Sequence, residues 1–82
     1  MTTGCRKHFL EVIAECTQRE ENISKVKADT LMRRAVTVCE VRRQEKDQET
    51  LQWYKNLSDR TKTHVLVETQ KLIDQEVKSR EV

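Results

Sequence analysis

Apolar residues recur along this chain at spacings of three, four and seven, in four patches set apart by polar stretches. Phe9, Val12, Ile13 and Cys16 open the pattern, and Ile23 and Val26 continue their stripe. Ala28, Leu31, Met32, Ala35, Val38 and Cys39 form the second patch, and Leu51, Trp53, Tyr54 and Leu57 the third. Val65, Leu66, Leu72, Ile73 and Val77 form the last. Such spacing gathers each patch on one face of an amphipathic helix. Between patches the phase slips: positions 9, 16 and 23 lead on to Thr30, Thr37 and Gln44, while Ala28, Leu31, Ala35 and Val38 take over the apolar load. A strict heptad seam along the whole chain does not survive that slip. Segmented helices are predicted instead.

The expected fold is all-α: two or three amphipathic helices in an extended, hairpin or coiled-coil-like arrangement, with few or no strands. The chain reads as one helical unit, 1–82, with helices near 5–21, 24–56 and 59–80. Asn22 or Ser24 is placed to cap a new helix after the first break, and Ser58 or Asp59 after the second. Neither break holds a glycine or proline, so each is also compatible with one uninterrupted helix. The stretch from Arg42 to Thr50 contains no apolar side chain, and the expectation is that it stays solvated or lies on a polar surface. Residues 35–41 and 61–69 are rich in β-branched side chains, which suit strands. No turn dipeptide separates them from their neighbours, so helix remains the reading.

Composition reinforces this. Eighty-two residues include no proline and a single glycine, Gly4, so almost nothing forces the backbone out of a helix. Five acid-to-base pairs at a spacing of four, Glu15–Arg19, Glu21–Lys25, Asp29–Arg33, Asp74–Lys78 and Glu76–Arg80, run in the helix-favouring direction. The hydrophobic fraction is 35%, against roughly 45–50% in ordinary globular domains. The apolar inventory is thin for a chain this short, and a core completed by self-association or by a partner is expected.

Charge is uneven. Residues 24–46 carry seven basic and three acidic side chains, a net of +4, while each flank is net −1. An acidic partner surface complements that middle, with Arg33, Arg34, Arg42 and Arg43 as the contact residues. The two arginine doublets lie nine residues apart, two and a half helical turns, and so face opposite ways. That weakens a single duplex-binding stripe, and no interleaved aromatics offer base-stacking platforms.

Three cysteines, an odd number with no close pair and no secretory h-region before them, suggest reduced thiols in an intracellular compartment, cytoplasmic with the nucleus as the alternative. No apolar run approaches the length of a membrane span. Cys5 and His8 have a Cys-x-x-His spacing, but Cys16, Cys39 and His64 are scattered. No metal site and no cofactor are expected. No catalytic motif or phosphate-cradling loop is present, and an enzyme is not expected.

Partner contact is assigned to Trp53, Tyr54 and Leu57, with Leu31, Val38, Leu66 and Ile73 on the packing faces. Tryptophan and tyrosine are enriched among binding hot spots; packing of the trio against Phe9 and Ile13 in a hairpin is the competing assignment. The expected function is a non-enzymatic helical adaptor or scaffold subunit. It binds partner proteins, or itself, through amphipathic helices within a larger intracellular assembly such as the cytoskeleton. The alternative is a basic helical nucleic-acid-binding protein.

Overall fold

A chain without internal breakers forms helix wherever an apolar stripe finds something to cover, and it stops where the stripe fails. The structure, a computed structural model, describes residues 2–80; Met1, Glu81 and Val82 of the expected 1–82 unit lie outside the described residues. It is all-α. Helix α1 runs Thr2–Gln18, α2 Ala28–Arg42, α3 Glu45–Lys55 and α4 Asp59–Arg80, with a short 3-10 turn at Ile23–Lys25. No strand occurs among the described residues. The β-branched runs 35–41 and 61–69 lie wholly within α2 and α4, so burial has overridden local preference.

The helix ends explain the path of the chain. Beyond Gln18, the amides of Arg19 and Glu20 bond back three residues, to Cys16 and Thr17, which tightens and ends α1. The loose carbonyls there receive a distant cap. The Arg80 guanidinium, at the far end of α4, donates to the oxygens of Gln18 at 3.0 Å, Thr17 at 3.4 Å and Glu20. A cation at a helix C-terminus also meets the negative end of the helix dipole. Neither Asn22 nor Ser24 caps α2, which starts from Lys27 without a side-chain cap. Instead Ile23 is buried in the connection, so this break is fixed by an apolar plug. At the other break Ser58 acts as an N-cap: its hydroxyl accepts from the Thr61 amide at 3.3 Å and its carbonyl from Lys62 at 3.0 Å.

The expected continuous helix over 24–56 is divided. Arg43 adopts the left-handed conformation, φ 54° and ψ 23°, and its amide bonds to the Cys39 carbonyl. This is the αL termination usually given to glycine, and a non-glycine residue there costs about 1–2 kcal/mol. The turn swings α3 back onto α1, which brings Asp47 against His8 and Arg42.

The core draws on every helix: Phe9, Val12 and Ile13 from α1, Leu31, Ala35 and Cys39 from α2, Leu51 from α3, and Val65 and Ile73 from α4. The radius of gyration is 12.5 Å, near the ~12 Å expected of a compact chain of this length. Despite the thin apolar inventory, the core closes within the single chain. Threonine explains the difference. Thr17, Thr50 and Thr69 are buried with the apolar side chains. Thr17 and Thr69 spend their hydroxyls on carbonyls of their own helix, Ile13 and Val65, each at 2.8 Å. That leaves a methyl group to pack, so polar residues supply part of the missing apolar volume.

Ion pairs tie helices to one another. Arg6 of α1 pairs in a bidentate manner with Glu68 of α4, Arg34 of α2 with Glu20 beyond α1, and Arg42 of α2 with Glu15 of α1. The five sequence-local pairs do not form ion pairs among the described residues; Glu15 bonds across the helices in place of Arg19.

Candidate functional site

The feature that the sequence pattern did not reveal lies where α1, α2 and α3 meet. Asp47 stands in the first turn of α3, where the positive end of the helix dipole favours a carboxylate, and its side chain is 0% exposed. His8 Nε2 lies 2.8 Å from its Oδ1, and Arg42 donates to the same oxygen at 3.2 Å. Arg42 then reaches Glu15 at 3.3 Å, closer to solvent. Cys39, fully buried, completes the group: its sulfur, the His8 ring nitrogen and an Asp47 oxygen lie within 4.8 Å of one another. Asp47 Oδ2 is buried with no hydrogen-bond partner, as is Thr50 Oγ1 one turn further along α3.

The solvated stretch expected over Arg42–Thr50 is thus corrected in part: Asp47 and Thr50 turn inward. The polar first turns of a helix can enter a core when their buried charge is paired by groups from neighbouring helices.

The electrostatics follow from the packing. Burial is the largest influence on Asp47 and opposes its ionisation. The His8 hydrogen bond, the positive charge of Arg42 and the neighbouring Cys39 thiol together outweigh it, and the carboxyl sits below its ordinary value. Burial, then the adjacent Asp47 charge, pushes the Cys39 thiol up to about 11. A sealed thiol of that basicity is protonated near neutrality. A cleft of about 310 Å³ opens beside the cluster between α1 and α3, lined by Cys5, His8, Glu11, Lys46, Glu49 and Thr50.

A second feature is apolar. Between α1 and α4 runs an open groove of about 400 Å³, lined by Leu10, Ala14 and Leu72 with Arg6, Lys7 and Glu11. Leu10 and Ala14 are four residues apart on α1, one step around the helix from Phe9 and Ile13. That ridge was not among the apolar patches read from the sequence, and it lies beside the stripe of Phe9 and Ile13 that reaches the core.

The residues assigned to partner contact are dispersed by the fold. Trp53 and Tyr54 are half-buried against Phe9, at centroid distances of 6.0 Å edge-on and 4.9 Å stacked. Leu57 is half-buried beside the same core. The Lys62 ammonium lies 5.4 Å from the Tyr54 ring centre, and burial raises the Tyr54 hydroxyl pKa against a smaller opposing pull from Arg33. Leu31 and Ile73 are sealed in the core, out of a partner's reach. Val38 and Leu66 are half-buried, Val38 beside Cys16 and Val41 in a groove of about 290 Å³ between α1 and α2. Of the four arginines, Arg34 is held by Glu20, and Arg42 by Asp47 and Glu15. Arg33 and Arg43 are exposed and form no ion pair among the described residues.

All three cysteines carry free thiols. No helix among the described residues is long and apolar enough to cross a membrane. Comparison with protein-family models, curated proteins and solved structures returns no match.

Proposed function

We propose that this chain is a non-enzymatic helical interaction module: an adaptor that receives an amphipathic helix of a partner protein in the groove between α1 and α4. The observation that carries the reading is the apolar floor of that groove, Leu10, Ala14 and Leu72, rimmed by Lys7 and Glu11. Leu10 and Leu72 pack only in part against the core and leave apolar surface open to the groove, and a helix docks in such a groove through anchors spaced three, four and seven apart. The rim carries both signs, which suits a partner helix with an acidic residue toward Lys7 and a basic one toward Glu11. The setting is an intracellular assembly, the cytoskeleton among them, a reading supported by three unpaired thiols.

The basic middle has less support as the principal contact, because Arg34 and Arg42 are neutralised within the chain. The same loss weakens the nucleic-acid alternative, whose affinity rests on free cations.

Photo-crosslinking in cells from a reactive residue at position 7 tests the reading. One discrete protein adduct is expected, lost in a Leu10→Lys, Leu72→Lys variant of unchanged helicity and kept in an Arg33→Ala, Arg43→Ala variant. The opposite pattern, or a nucleic-acid adduct, overturns it.

A further inference from the structure

We propose that His8, Cys39 and Asp47 form a binding site for one divalent transition-metal ion, with zinc as the chemical type. The donors are an imidazole nitrogen, a thiol sulfur and a carboxylate oxygen, one from each of α1, α2 and α3, all within 4.8 Å of one another. Zinc–ligand bonds of about 2.0–2.3 Å place the donors of a tetrahedral ion about 3.5 Å apart, so this span closes by about 1 Å. The 2.8 Å separation of His8 Nε2 and Asp47 Oδ1 opens by about 0.7 Å in the same rearrangement.

Independent support comes from Asp47 Oδ2. A carboxylate oxygen sealed from solvent without a partner is costly, because the water it has left is not replaced. An ion between Asp47, His8 and Cys39 supplies that partner. The mixed nitrogen, sulfur and oxygen set selects zinc and its neighbours; calcium and magnesium take oxygen donors.

The surroundings fit a second shell. Arg42 fixes the Asp47 carboxylate through Oδ1 and is itself held by Glu15. Its positive charge alone opposes an incoming cation. With Cys39 as thiolate, however, Asp47, Glu15 and the sulfur together match the ion and the guanidinium. On binding, the Cys39 thiol releases its proton to solvent as the metal–sulfur bond forms. His8 gives up the Nε2 proton shared with Asp47, to Nδ1 when the ring is neutral and to solvent when it is charged, and binds the ion through Nε2 with the ring proton on Nδ1. The cleft lined by His8, Lys46 and Thr50 is the entry path and supplies water as the fourth ligand. An ion there joins three helices of a domain whose apolar core is small.

Cobalt(II) titrated into the metal-free full chain is the probe. One equivalent is expected to give the intense visible bands of a four-coordinate site with a thiolate-to-cobalt charge-transfer band, bleached by one equivalent of zinc. Cys39→Ser should remove the charge-transfer band, and Cys39→Ser or His8→Gln should weaken binding more than the 10–100-fold typical of second-shell losses. Cys16→Ser should leave the spectrum unchanged. If Cys39→Ser fails to fold, cadmium-113 NMR of the unsubstituted chain decides, through one resonance in the range of mixed single-thiolate coordination. A charge-transfer band that survives Cys39→Ser, binding without thiolate character, or no stoichiometric binding overturns the proposal.

Discussion

His8 and Phe9 are adjacent on α1 and enter two different kinds of interior. Phe9 meets the rings of Trp53 and Tyr54, and shape and area hold that side together. His8 meets Asp47, itself bonded to Arg42, and direction and charge hold the other side. Both contacts join α1 to α3, so the two halves fasten the same pair of helices by different physics. Ring packing degrades gradually when one group is changed. A buried charge network does not: removing one member strands the others in a medium that cannot solvate them.

The largest expected effect is on the apolar side. Phe9→Ala deletes the ring that both aromatics contact and should cost about 3–5 kcal/mol in urea denaturation. Against the 5–15 kcal/mol of a typical domain, that brings the chain close to unfolding. Asp47→Ala, measured with chelator present, should cost somewhat less. Breaking a buried pair costs about 3–5 kcal/mol, and the lower end applies because the orphaned Arg42 is 32% exposed and can be rehydrated. If Asp47→Ala proves neutral, the polar half is only filler and the two sides are not equivalent fasteners.

The polar half also carries a flaw that the apolar half lacks. Thr50 buries a hydroxyl with no partner, so Thr50→Val should stabilise the chain by about 1 kcal/mol, read as a raised urea midpoint. Smaller still is the hinge that makes the polar half possible. Arg43→Gly relieves the left-handed backbone but loosens the unfolded chain, and the net gain should be about 0.5 kcal/mol. A loss there would mean that the Arg43 side chain contributes something beyond its place in the turn.

These halves were unequally legible in the sequence. Period and the lack of breakers sufficed for an all-α chain, for the Ser58 cap and for the stripe of Phe9, Val12 and Ile13. The division of residues 24–56 was not readable, because Arg43 is a poor αL former and the turn is stabilised by the contacts it brings together, Asp47 with His8 and Arg42, rather than by its own sequence. Buried Asp47 was hidden for the same reason: an aspartate in a fully polar run has no period to betray it, and its partners lie 39 residues away at His8 and five at Arg42. Thr17, Thr50 and Thr69 were scored as polar, so the core looked poorer than it is. Of the groove, Leu72 stood in the last apolar patch, but Leu10 and Ala14 stood in none, and only the packing of α4 against α1 brings the three together.

A double-mutant cycle between His8→Ala and Asp47→Ala, by urea denaturation of the metal-free chain, tests most directly whether the polar half fastens α1 to α3. The account expects the two losses to fall short of additivity by at least about 1 kcal/mol, within the 0.5–3 kcal/mol range of side chains in contact. Losses that add to within about 0.3 kcal/mol, as for distant independent sites, would contradict it.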